Sequence, residues 1–279
     1  MMRKLANTLF LLMGCIVFGQ VNLINSDRPE EIGVLSDEQK EMFSYKKYLE
    51  YPHVDEKDIM WSKVVYEEID LSEKFNHPLF FPNDNLYETE RRSLWRTIRE
   101  AILDGRIDVI YMDNNNKFRY VMPLDDAKKK IKNTVSINGT DKSEVLKSSD
   151  ISYYRIKGVW YVDKRIGEMR YRLLGIMPFG KDLINKENKE PVPLFWLWYK
   201  DLRPILHEQL VLDDRNNVSR ISFDQLLTSR RFTSRIIGMD NVFNDKYIED
   251  YVTDPFMQLI ESERLKNIIR DFEQDLWSN

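Results

Sequence analysis

ISYYRIKGVWYVDKRIGEMRYRLLGIMP, residues 151–178, carries the strongest β signal in the chain. Tyr154-Arg155-Ile156-Lys157-Gly158-Val159-Trp160-Tyr161-Val162 reads as two strands about a tight turn. Met169-Arg170-Tyr171-Arg172-Leu173 then alternates apolar and basic side chains, the period of a half-buried strand. Gly175 and Pro178 are expected to close the unit. An antiparallel, aromatic-rich sheet is therefore the nucleus from which the rest is read.

Downstream, Pro193-Leu194-Phe195-Trp196-Leu197-Trp198-Tyr199 is apolar on both faces and predicts a central strand. Asp201-Leu202-Arg203-Pro204-Ile205-Leu206 begins a helix, and Ser222 to Leu227 opens another. Arg235-Ile236-Ile237 has the look of an edge strand. From Pro255 to about Trp277, Leu265, Ile268, Ile269, Phe272 and Leu276 recur at helical spacing with charges between them. Such a stripe must be buried, against this sheet or against another subunit.

Upstream, residues 133–149 are polar, with an exposed loop at Asn138-Gly139-Thr140-Asp141, and Asp125–Ile131 is a short charged helix. Ile107–Met112 and Phe118–Val121 flank the turn Asn114–Lys117 as a hairpin. Leu94, Ile98, Ala101 and Ile102 fall on one helical face, with Trp95 widening the stripe. Asn85 and Glu88 are the capping candidates and Gly105 the stop. Phe80-Phe81-Pro82-Asn83-Asp84 is a turn, and the core opens at Ile59-Met60-Trp61, continuing through Val64, Val65 and Ile69. Strands mixed with helices, without regular βαβ alternation, predict the α+β class: an antiparallel sheet with packed helices and a long C-terminal amphipathic helix.

The N-terminus has the parts of a secretory signal peptide. Arg3 and Lys4 precede the apolar run Leu5–Phe18, and Val17-Phe18-Gly19 places compact residues where a signal peptidase reads, leaving Gln20 first. The run is shorter than the roughly 20 apolar residues that a membrane span requires. Leu12-Met13-Gly14-Cys15 also resembles a lipobox, although the apolar run continues past Cys15. The expected organisation is a signal peptide at 1–19, an N-terminal arm at 20–57 and a core domain at 58–279. In the arm, Ser36 to Gln39 fits a capping box, and Tyr45, Tyr48, Leu49 and Tyr51 suit packing on the domain or on a neighbour.

Composition narrows the function. Without Arg3 and Lys4, 40 basic residues face 46 acidic ones, a formal charge near −6. That is too acidic for a nucleic-acid binder. Cys15 is the only cysteine, so the chain beyond Gly19 holds itself together by burial and not by disulfides. Ten glycines are few for 279 residues and argue against phosphate-cradling loops.

No catalytic constellation emerges, and the expected catalytic, cofactor and metal sites are none. His207-Glu208-Gln209-Leu210-Val211 starts like a zinc-protease motif but lacks the second histidine. His53 lies near Asp55, Glu56 and Asp58, and His77 stands alone. Carboxylates beside a lone histidine usually form a solvated turn. Trp160, Trp196 and Trp198 read as core and cross-strand packing rather than as a sugar platform. Arg170 with Arg172, and Arg230-Arg231 with Arg235, form either an interaction face or pairs with local acids.

A family likeness runs through these blocks. Met60-Trp61-Ser62-Lys63-Val64-Val65 leading into Glu68-Ile69-Asp70-Leu71, then Asn76, Pro78 and Phe80-Phe81-Pro82, resembles the opening of the GldN/PorN family. So do Tyr154–Lys157 with Trp160-Tyr161-Val162-Asp163-Lys164, then Arg172–Ile176, Phe195–Tyr199 and Phe272–Trp277. The resemblance implies a non-enzymatic, periplasmic subunit of the type IX secretion and gliding motility machinery of Bacteroidetes. It also implies self-association in a ring with a GldK/PorK-type outer-membrane lipoprotein, so that membrane association is indirect, with no nucleic acid and no cofactor. An exported glycan hydrolase using paired carboxylates and a periplasmic ligand-binding module are the alternative expectations. The likeness favours cleavage at Gly19–Gln20, since it assigns the lipid anchor to the partner. Mass spectrometry of the exported protein is expected to find Gln20 at its N-terminus, and a lipidated Cys15 would overturn that reading.

Overall fold

The computed structural model describes residues 48–82, 84, 91–112, 118–137, 140–185, 187–211, 221–240 and 246–278. The signal peptide, the Ser36–Gln39 capping box, the capping candidates Asn85 and Glu88, and the turn residues Asn114–Lys117 and Asn138-Gly139 lie outside them. Ten strands occur among the described residues: β1 (Ile59–Asp70), β2 (Ile110–Tyr111), β3 (Val121–Met122), β4 (Lys132–Ile137), β5 (Thr140–Val145), β6 (Ile151–Asp163), β7 (Glu168–Gly180), β8 (Val192–Pro193), β9 (Leu197–Trp198) and β10 (Arg235–Met239). The α-helices are α1 (His77–Phe80), α2 (Leu94–Leu103), α3 (Leu124–Ile131), α4 (Tyr199–Glu208), α5 (Phe223–Thr228) and α6 (Pro255–Ser278).

The fold is α+β. Its main sheet runs β10-β1-β6-β7-β8, with β9 also on β7, and every pairing is antiparallel. At 13 residues each, β6 and β7 are each about 43 Å long at the usual rise. Ribbons of that length twist and curl, and bulges at Ile151/Tyr153 and Lys157/Gly158 add to the bend. Tyr154, Ile156 and Trp160 share one face of β6 by the two-residue period. That face serves two hydrophobic clusters. The larger joins Tyr154 and Ile156 to α2, α4 and α5 through Ile98, Leu202 and Leu226. The smaller joins Trp160 to Val65, Ile236, Leu265 and Ile269 under α6.

Several sequence expectations change here. Tyr154–Val162 is one strand and not two about a turn, because Gly158 is a site of close approach. The ring and hydroxyl of Tyr171 lie where a Cβ at Gly158 would stand, which is a common reason for glycine inside a strand. The chain reverses instead at Asp163–Gly167, where Gly167 takes φ 71° and its amide donates to the Asp163 carbonyl at 2.8 Å. Gly175 and Pro178 likewise do not close β7, which runs on to Gly180. Pro178 falls between the residues that pair with β9 and those that pair with β8, where a missing N–H is tolerated.

Pro193–Tyr199 is not a continuous strand. Only Val192–Pro193 and Leu197–Trp198 pair with β7, Trp196 bridges to Tyr111 of the β2–β3 hairpin, and α4 begins at Tyr199. A short apolar run signals burial without specifying its partner. Residues 133–149, read as polar with a loop at 138–141, contain most of the β4–β5 hairpin: polar composition does not by itself mean irregular backbone. The cap of α2 is Ser93, whose Oγ accepts from the Arg96 amide at 3.1 Å. Gly105 does end that helix, at φ 73°.

Tyr171 is held against Trp160, with centroids 5.1 Å apart, and beneath Arg230 at 4.2 Å. It therefore has little room to yield. Gly158→Ala is expected to cost about 1–3 kcal/mol through overpacking, read as a lower urea midpoint. An unchanged midpoint would show that the ring does not cover Gly158.

Candidate functional site

Several arginines with aromatic neighbours organise the polar chemistry of the described residues. Leu202, Ile205 and Leu206 bury one face of α4 and carry Arg203 in with them. Arg203, 4% exposed, donates through Nε to Asp224 Oδ1 at 2.8 Å and through Nη2 to Oδ2 at 3.1 Å. Asp224 sits in the first turn of α5, which a Ser222/Gln225 capping box fixes. Tyr199 completes the cluster, its hydroxyl donating to Asp224 Oδ1 at 2.9 Å. Burial first, then the charge of Asp224, raises the Tyr199 hydroxyl well above its ordinary value, so it stays a neutral donor. Burial opposes the charge on Arg203, but the hydrogen bonds and charge of Asp224 outweigh it and raise the pKa.

The remaining face of Arg203 holds the beginning of the compact unit Tyr48–Asn279. Its Nη2 donates to the Leu49 carbonyl at 2.6 Å, and its guanidinium lies 4.6 Å from the Tyr48 ring centroid and 4.5 Å from that of Tyr51. On β7, Arg172 donates to the Pro52 carbonyl at 2.7 Å and lies 5.0 Å from Tyr51. Arg165 reaches the His53 carbonyl at 3.3 Å. Residues 48–53, read as part of the arm, are thereby strapped to the domain.

A second cluster centres on Arg230. It forks onto Glu67 with bonds of 2.9 and 2.6 Å, amid Trp160, Tyr171 and Phe232. A third lies on the opposite face of β6, where Arg155 is sandwiched between Phe179 (4.7 Å) and Tyr247 (4.5 Å) and contacts Glu249 and Glu68. Burial pushes the nearby Tyr153 hydroxyl up to about 12. Under α2, Asp84 accepts from Arg99 and from Ser148 Oγ, both at 2.6 Å. Burial raises the Asp84 carboxyl, but those bonds and the Arg99 charge outweigh it and leave the pKa below its ordinary value.

The sequence candidates scatter. His53 pairs with Asp55 in an exposed turn, His77 starts α1 beside Phe81, and His207 on α4 meets the edge of Tyr48. Among the described residues, no group of three His, Cys, Asp or Glu side chains is arranged to hold a metal. The basic groups Arg170/Arg172 and Arg230/Arg231/Arg235 do not form one face. Arg170 pairs with Glu168 and Arg235 with Glu68, while Arg172 and Arg230 turn to the strap and to Glu67. Trp196 is fully buried, and Trp160 and Trp198 are half-buried. The Arg203–Asp224 cluster was not singled out from sequence. Its only trace there is a lone arginine on an apolar helical face.

What the described surface does offer is apolar. Tyr251 and the first turns of α6 expose Phe256 (69%), Met257, Leu259 and Ile260, with Ile268 (37%) further along. The opposite side of α6 is buried through Ser262, Leu265 and Ile269, and Phe272 stacks on Trp61 at 4.5 Å. Among the described residues, no helix is long and apolar enough to cross a membrane.

The described residues thus form an α+β scaffold in which Arg155, Arg172, Arg203 and Arg230 tie distant segments together, with an apolar row exposed at the start of α6. Residues 54–278 match the family described as gliding motility associated protein GldN, and the chain belongs to that family. Its role is accordingly in the gliding motility machinery. No curated protein sequence matches the chain.

Removing one partner from a buried ion pair strands the other charge, so Arg203→Ala and Asp224→Ala are each expected to cost about 3–5 kcal/mol. The double variant Arg203→Met/Asp224→Leu should cost distinctly less than the sum, because no charge is left unpaired. Urea denaturation of all three proteins checks this, and additive losses would refute the coupling.

Proposed function

We propose that this chain is an exported structural subunit of a periplasmic ring in the type IX protein secretion and gliding motility machinery. It is held at the outer membrane by a lipoprotein partner of the GldK/PorK type. Family membership supports the motility role. The observation that carries the structural reading is the exposed row Phe256, Met257, Leu259 and Ile260 at the start of α6. Contiguous exposed apolar side chains mark interaction sites, because apolar surface is costly to leave in water. The reading also accounts for the polar clusters, whose charged side chains hold elements together. A ring needs heterologous contacts that close on themselves, hence a rigid unit with more than one adhesive patch.

Co-expression with the lipoprotein partner is expected to yield particles far larger than a one-to-one complex in size-exclusion chromatography. Phe256→Ser/Leu259→Ser should break those particles down while leaving the melting temperature within about 2 °C, since surface changes move stability by about 0.5 kcal/mol or less. A chain that stays monomeric with the partner present would refute the proposal.

A further inference from the structure

The segment Tyr48–His53 is held as a peptide ligand would be. It belongs to no strand or helix. Its recognition rests on backbone carbonyls and aromatic faces: Arg203, Arg172 and Arg165 donate to the carbonyls of Leu49, Pro52 and His53, and the first two also meet the rings of Tyr48 and Tyr51. The receiving side has its own support. Arg203 is fixed by Asp224, and Asp224 by Tyr199 and the α5 capping box. Arg203 is therefore in place before the segment arrives, and such preorganisation lowers the cost of binding.

We propose that this site recognises Tyr48–His53 whichever copy of the chain supplies it, and that copies associate by exchanging the segment. The proposal rests on the reading of the chain as an assembly subunit and names one of its contacts. Exchange preserves each bond and ring contact, so its cost is largely that of association, and rising concentration favours it. The segment lies at the surface, with Leu49 88% exposed, and Tyr51 is the side chain by which it packs on the larger hydrophobic cluster. Its covalent tie to β1 is the connector Val54–Asp58, and five residues span at most about 17 Å when extended. A short connector of this kind suits exchange between neighbours. Head-to-tail exchange, each copy giving its segment to the next, is heterologous and closes only as a ring.

The test is complementation between two variants of the chain starting at Gln20, each labelled with a different dye. The donor-deficient variant is Tyr48→Ala/Tyr51→Ala, and the acceptor-deficient variant is Arg172→Ala/Arg203→Lys, which keeps a cation beside Asp224. Sedimentation velocity is expected to show concentration-dependent association of the unmodified chain and an association constant at least about tenfold weaker for each variant alone, given the charged hydrogen bonds lost. A one-to-one mixture should form mixed dimers and nothing larger, because only one intact segment meets an intact site in each pair. If Arg203→Lys compromises folding, Arg172→Ala alone serves as the acceptor-deficient variant. Variants that associate as the unmodified chain does would overturn exchange and leave the assembly reading standing. Variants that stay monomeric when mixed would overturn it too, placing the segment's role within its own chain. An unmodified chain that stays monomeric at every concentration, with and without the lipoprotein partner, would overturn both.

Discussion

The β6–β7 ribbon is the constraint on which the other elements depend. Its register runs from Ile151↔Gly180 to Asp163↔Glu168, and β1 lies along β6 from Ile59 to Asp70. Three strands of that length cannot stay flat, and the bulge at Gly158 adds curvature where Tyr171 crosses it. One face of the curled sheet then houses both the α2–α4–α5 core and the smaller core under α6. The two cores share Tyr171 at their margins, so the close approach at Gly158 bears on both.

Charge placement follows from the same geometry. With 32% of its residues charged, the chain must bring some of them near the sheet, and those that enter arrive with partners. Glu67 and Asp224 are almost wholly buried, and each receives an arginine fork. Aromatic faces cover the guanidinium groups of Arg155, Arg172, Arg203 and Arg230. Arginine suits this because it is weakly hydrated and stacks on rings while still donating in its plane. These ties join segments far apart in sequence, such as Glu67 to Arg230 and Leu49 to Arg203, so they define the tertiary arrangement as much as the apolar core does.

On the proposed reading of the chain as an assembly subunit, the consequence is a body with stiff internal ties and an exposed apolar row at its periphery. α6 shows both roles on one helix: Leu265 and Ile269 face β10 and β1, while Phe256 and Leu259 face outward. The strap at Tyr48–His53 is peripheral in another sense, being tied down chiefly by Arg203, which Asp224 holds independently of it.

Local pattern was enough to read α2 from Leu94, Ile98 and Ala101, α6 from its Leu265–Leu276 stripe, the β2–β3 hairpin, the edge position of Arg235–Ile237 and the α+β class. These depend on periodicity, turn chemistry and burial, each legible within a window of one element. Family membership was legible too, in the ordered aromatic blocks, and the family match over residues 54–278 bears it out. Tertiary structure decided what Gly158 is for, since a turn glycine and a close-approach glycine differ only in whether a ring from the opposite strand lies over them. It also decided that the run 193–199 divides between pairing with β7, a bridge to Tyr111 and the start of α4, and that Arg203, Asp224 and the strap form one cluster. Sequence records which residues are apolar or charged. Only the folded chain brings together residues as distant as Leu49, Arg203 and Asp224, and the free energy of a buried charge depends on that proximity.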